Sequence, residues 1–120
     1  MSDTAAPADC IFCRIVAGDL PADIVDRSDL AVAFRDLNPQ APVHVLVIPR
    51  RHIDNAATVE RDDAEVIADM VVTARRVAQD QGIAERGYRL VFNVGDDATN
   101  TVPHLHLHVL GGRAMTWPPG

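Results

Sequence analysis

The 120-residue chain contains no lysine; all eleven of its basic residues are arginine. Seventeen acidic residues outnumber them, for a formal charge of −6. That balance excludes the basic stripe on which a nucleic-acid-coating protein depends. Aromatic residues are scarce too, with three Phe, one Tyr and one Trp, so core and binding sites compete for each ring. No apolar run approaches the roughly 18 residues of a membrane-spanning helix. A single pair of cysteines is not a disulfide framework. The first nine residues, MSDTAAPAD, lack the basic and apolar regions of a signal peptide and read as a loose tail. A cytoplasmic location is the resulting expectation, with neither a membrane nor a nucleic-acid polymer as partner. The composition, 48% hydrophobic and 23% charged, supports one domain with a real core, expected over residues 10–120.

Histidine is unevenly spread. Three of the five histidines, His104, His106 and His108, fall within five residues. The surrounding pattern reads as α+β, with about five mostly antiparallel strands, one long helix and a short N-terminal helix. Apolar residues 10–17 before Gly18 suit the short helix. Short strands are expected at 24–25 and 30–34, and the turn signal Asn38-Pro39 follows the second. Residues 43–48 (VHVLVI) make a stronger strand, which Pro49 should end because it cannot donate to a ladder. Residues 60–81 carry Val66, Ile67, Met70, Val71, Ala74, Val77 and Ala78 at helical steps, acids at the start and Gly82 as a stop. Strands are expected again at 88–94 and 105–110.

On a strand His104, His106 and His108 would share one face, with Leu105, Leu107 and Val109 on the other. Neighbouring imidazoles would then stand roughly 7 Å apart at their bases. Imidazoles titrate near neutral pH, so such a row can attack, accept and donate protons, and hold a phosphate. Paired histidines on one strand face can also converge on a metal ion, and a satisfied polar strand face would look the same. Cys10 and Cys13 form a C-x-x-C. By spacing alone this is a redox pair, half of a zinc site or two buried thiols. No thioredoxin-like βαβ pattern surrounds it, and a tetrahedral zinc site would need two more ligands.

The segment HLHLHVLGGR resembles the H-φ-H-φ-H-φ-φ signature (φ apolar) of the histidine triad superfamily. DLNPQAPVHVLVIPRRHI, YRLVFNVG, TVPHLHLHVLGGR and the terminal WPPG follow in the order of its Hint branch, the histidine triad nucleotide-binding proteins. The resemblance spans roughly residues 10–120. It implies hydrolysis of the P–N bond of purine nucleoside 5′-phosphoramidates. His106 would be the nucleophile that forms a nucleotidyl-histidine, with His108 and His44 assisting the leaving amine. It places the base against Phe12, Ile15, Phe34 and Leu37, the ribose on Asp36, and the phosphate side near Asn93, Asn100, Thr101 and Val102. It also implies a structural Zn²⁺ on Cys10, Cys13, His52 and His104, and a homodimer in which the Trp117 tail reaches toward the partner's site. The family pattern Gly-Gln-Ser/Thr-Val is replaced here by Thr99-Asn100-Thr101-Val102, and Pro103 stands where an aromatic is frequent. Thr99 lacks glycine's backbone freedom and Pro103 deletes an N–H, so rate and substrate preference are the properties these changes touch. Two other functions fit the residues: hydrolysis of dinucleoside polyphosphates within the same superfamily, and a zinc-stabilised nucleotide-binding scaffold with negligible turnover.

Overall fold

Five strands form one antiparallel sheet in the order β1-β2-β3-β5-β4. They are β1 (Ile24–Arg27), β2 (Ala31–Arg35), β3 (Val43–Pro49), β4 (Tyr88–Val91) and β5 (Leu107–Gly111). This architecture comes from a computed structural model that describes residues 9–120. Residues 1–8 of the expected tail lie outside the described residues. Two α-helices accompany the sheet, α1 (Ile11–Ala17) and α2 (Ala64–Asp80). Among the described residues no helix is long and apolar enough to cross a membrane. The α+β reading holds, with the short and the long helix as expected.

The two faces of the sheet have different partners. Ala33, Val45, Val47, Leu107 and Val109 are buried against Val66, Met70, Ala74 and Val77 of α2. The opposite face buries Val32, Phe34, Leu46 and Ile48 against Cys10 and Phe12 at the start of α1. Period-two alternation along β2 and β3 produces this division. It leaves the α1 side, which the shorter helix only partly covers, as the place for a cleft.

Several boundaries move, each for a local reason. The long helix starts at Ala64 after a 3-10 turn over Arg61–Asp63, because the Asp63 carboxylate turns back to accept the Glu60 N–H at 2.8 Å. Val71 lies outside the buried face at 43% exposure. It is five residues from Val66, which places it about 140° around the helix. The stop at Gly82 is as expected. Gly82 has φ +75, its N–H reaches Gln79 O, and the Ile83 N–H reaches Ala78 O at 3.0 Å, which together make a Schellman ending. Ile83 then fills the space under Gly111, where a Cβ would lie 2.6 Å from Ile83 Cδ1.

The fourth strand ends at Val91, short of residue 94. Pro49 belongs to β3 as its last residue, opposite Ala31, where a missing N–H matters least. The last strand begins at Leu107 and not at Leu105, because the Leu105 N–H is taken by Ile53 O.

Candidate active site and metal cluster

Cross-strand register builds the floor of the site. Phe34 lies opposite Leu46, and Leu46 lies opposite His108, so one row of side chains crosses three strands on the α1 face. Phe12 of α1 sets its ring edge against Phe34, with centroids 5.6 Å apart, and against His106 at 5.3 Å. Between helix and sheet opens a cleft of about 590 Å³. Phe12, Ile15, Phe34, Asp36 and Leu37 line one part of it, and Asn93, Thr101, Val102, His106 and His108 line the rest.

The backbone fixes the tautomers of the cleft histidines. His106 Nδ1 lies 2.7 Å from the carbonyl oxygen of His104. A carbonyl only accepts, so Nδ1 carries the proton and Nε2 keeps its lone pair. The Gln40 N–H points at His44 Nδ1 at 3.0 Å. A backbone N–H only donates, so the His44 proton is on Nε2. That atom lies 2.9 Å from His108 Nδ1, which must accept, and the His108 proton is therefore on Nε2. The Asn93 amide is 3.4 Å from this Nε2 and can turn its oxygen toward the N–H. Burial pushes His108 down to about 4, with His106 and His44 adding to the effect. Burial lowers His44 as well, against the pull of Asp36. Both rings are neutral at pH 7. The site thus pairs one nitrogen lone pair with one N–H donor, on rings whose centroids are 5.0 Å apart.

His104 departs from the shared face expected on a strand. It is fully buried and turns away from the cleft. Its Nδ1 lies 3.2 Å from Cys10 Sγ and 3.4 Å from Cys13 Sγ, while Cys13 Sγ is 3.3 Å from His52 Nδ1. Ligand atoms of Cys10, Cys13, His52 and His104 all fall within 4.8 Å of one another. Tetrahedral zinc with ordinary bond lengths separates sulfur and nitrogen ligands by roughly 3.5 Å, so the set fits a metal ion. The outer partners fit too. His104 Nε2 donates to Pro49 O at 3.0 Å, and His52 Nε2 is 2.8 Å from Asp54 Oδ1. Each ring is thereby held with its Nδ1 lone pair toward the cluster. Burial pushes His104 down to about 4, which keeps it in the neutral form a metal requires. Without a cation, burial and the neighbouring Cys10 push the Cys13 thiol up to about 12.

Residues 17–115 match the HIT domain family. The chain belongs to that family. It is 46% identical over 112 residues to a HIT-like protein of Synechococcus elongatus, covering 93% of this chain and 97% of the relative. Its fold is similar to the crystal structure of a HIT family hydrolase from Legionella pneumophila, with TM-score 0.91, 49% identity and coverage of 93% and 100%. A histidine triad nucleotide-binding protein from Candida albicans is similar at TM-score 0.79 and 25% identity, covering 92% of this chain and 83% of that one.

In this HIT domain two sequence-predicted contacts lie off the cleft. Trp117, expected at the partner copy's site, is 82% exposed on the single chain, and Asn100 does not line the cleft, although its Oδ1 is buried with no hydrogen-bond partner among the described residues. Asp36, expected to hold the ribose, lines the cleft and also has structural contacts: its Oδ1 accepts the Asn38 N–H at 2.8 Å and its Oδ2 lies 3.5 Å from His44 Nε2. Sequence reading missed Ile11, Arg35, Leu46 and the stretch 20–23. Leu46 was findable, since it sits two residues after His44 on the same strand face, and Ile11 lies one helical step from Ile15. The stretch 20–23 and Arg35 have no sequence signal. Thr99, where glycine is the family pattern, stands at φ +61, a left-handed conformation that crowds a β-branched side chain. Thr99→Gly is expected to stabilise the fold by about 1 kcal/mol, the relieved strain exceeding glycine's entropy cost. A lower urea midpoint for the glycine variant would contradict this.

Proposed function

We propose that this HIT domain, taken as residues 10–120, is a nucleotide hydrolase of the Hint type. It cleaves the P–N bond of purine nucleoside 5′-phosphoramidates through a nucleotidyl-His106 intermediate. The observation that carries the reading is the pairing of an unprotonated His106 Nε2 with a protonated His108 Nε2 at one end of an apolar cleft. His106 Nε2 attacks the α-phosphorus and the P–N bond breaks; the His108 Nε2–H donates a hydrogen bond to the reacting group, and the departing amine takes its proton from solvent. The His44 Nε2–H bond onto His108 Nδ1 polarises the His108 ring and strengthens its Nε2–H as a donor. Water next attacks the nucleotidyl-histidine, the P–Nε2 bond breaks to return His106 to its neutral form, the water's proton passes to solvent, and the nucleoside monophosphate leaves. The base packs between Phe12, Ile15, Phe34 and Leu37. The free lone pairs of Asp36 accept from the ribose hydroxyls, and Asn93 and Thr101 border the phosphate. Val102 and the partner copy's Trp117 complete the leaving-group side in a homodimer.

Charge favours phosphoramidates over dinucleoside polyphosphates. Among the described residues lining the cleft, Arg35 is the one cation, and its Nε is 3.0 Å from Asp23 Oδ2. Asp23 and Asp36 add negative charge. Neutral rings and amide donors suit one phosphoryl charge, but nothing here offsets a chain of them. The test is turnover of adenosine 5′-phosphoramidate against a diadenosine polyphosphate. Faster cleavage of the polyphosphate would overturn the substrate assignment. No turnover of either would leave a nucleotide-binding scaffold.

Zn²⁺ is the proposed occupant of the Cys10, Cys13, His52 and His104 cluster, in a closed structural role. A reduced dithiol used this way suits the cytoplasm.

A further inference from the structure

The N–H that fixes His44 sits on an exposed loop. Residues 36–42 connect β2 to β3, and Gln40 is at the surface while the His44 ring it orients is buried. A loop free to move could not hold one tautomer in a buried relay.

The chain just past β5 pins that loop. Arg113 directs Nη2 at 3.1 Å and Nε at 3.3 Å onto the carbonyl oxygen of Gln40, and its Nη1 turns to Ala114 O at 3.3 Å. In a chain with seventeen acidic residues, this guanidinium forks onto backbone carbonyls and, among the described residues, onto no carboxylate. Beside it Gly112, at φ +91, packs so close that a Cβ would meet Pro42 Cβ at 2.9 Å. The Gln40 side chain closes on Asn38 O at 2.9 Å. Backbone carbonyl and N–H of the same residue are therefore both used, the first by Arg113 and the second by His44.

We infer that Arg113 is a positioning residue for the His44–His108 relay. By clamping Gln40 it keeps the Gln40 N–H on His44 Nδ1, and thereby keeps the His108 proton on the nitrogen that faces the cleft. The catalytic consequence rests on the proposed phosphoramidase reading; the tautomer consequence does not. Lysine would be a poor replacement, because an ammonium cannot reproduce the planar fork.

The test compares wild type, Arg113→Ala and Arg113→Lys by long-range ¹⁵N–¹H imidazole spectra and by steady-state kinetics on adenosine 5′-phosphoramidate. Wild type should show His44 and His108 each as the single Nε2–H tautomer. Arg113→Ala should give a mixture at both rings and lower kcat about tenfold, with KM within twofold. Arg113→Lys, the milder change, should fall between. Unchanged tautomers in both variants would overturn the positioning role, as would a loss confined to KM. If Arg113→Ala does not fold, the lysine variant decides by the same spectra. Mixed tautomers in a protein that never turns over phosphoramidate would uphold the clamp and defeat the functional reading instead.

Discussion

His106→Ala is expected to lower turnover of adenosine 5′-phosphoramidate by about four orders of magnitude. Among the described residues lining the cleft, the change deletes the one ring that keeps an Nε2 lone pair, because the backbone commits the His108 proton to its own Nε2. No covalent intermediate can then form, and what remains is direct attack by water with the residual help of N–H donors and binding, which is how a nucleophile deletion behaves in other covalent hydrolases. The loss should fall on kcat. The base still has Phe12, Ile15 and Phe34 to pack on, so affinity for a nucleoside monophosphate should stay within a few-fold. Single-turnover rates and product affinity, measured side by side, separate the two quantities. Equal rates for wild type and variant would remove His106 from the chemistry. Trapping a phosphoryl group on His106 in wild type, and on no residue in the variant, is the direct form of the same result.

The sequence made His108 legible because it lies on the β5 ladder, and His106, one residue before that ladder, still keeps the alternation and lines the cleft. His104 was misplaced by the same rule. The ladder has already ended there, the Leu105 N–H is bonded to Ile53 O, and His104 Nε2 is drawn to Pro49 O. Periodicity predicts orientation only where the partner strand enforces it. The turn contact of Asp36 was not legible either, since a turn two residues long claims one of its oxygens. The clamp on Gln40 could not be read at all. It joins positions 40 and 113, seventy-three residues apart, through backbone groups that every residue type carries. The Cys10–Cys13 spacing suggested a metal, but only the resemblance supplied His52 and His104. Their convergence depends on the β3 end and the residues before β5 lying side by side, which composition and spacing do not encode.

Metal removal should produce the largest change in stability. α1 is seven residues long, too short to persist alone in water. Its sulfur ligands are its N-cap, Cys10, and its third residue, Cys13, while His52 and His104 belong to the segments after β3 and before β5. A shared ion would therefore tie the helix to the sheet at its N-terminal end. Held at about a thousandfold above its dissociation constant, a metal that binds only the folded state adds about 4 kcal/mol. For a domain of this size that corresponds to roughly 15 °C in the melting temperature. Chelation under reducing conditions, or Cys10→Ser, should remove most of it. Amide exchange should rise first in α1, while the β2–β3 ladder stays protected. Because α1 also supplies Phe12 and Ile15 to the cleft, nucleoside monophosphate affinity should weaken along with stability. Less than about a tenth of a zinc per chain in protein from metal-replete cells would defeat the assignment. So would a melting temperature that chelation leaves unmoved, because four ligands held this close by a bound ion cannot be released without cost to the segments that carry them.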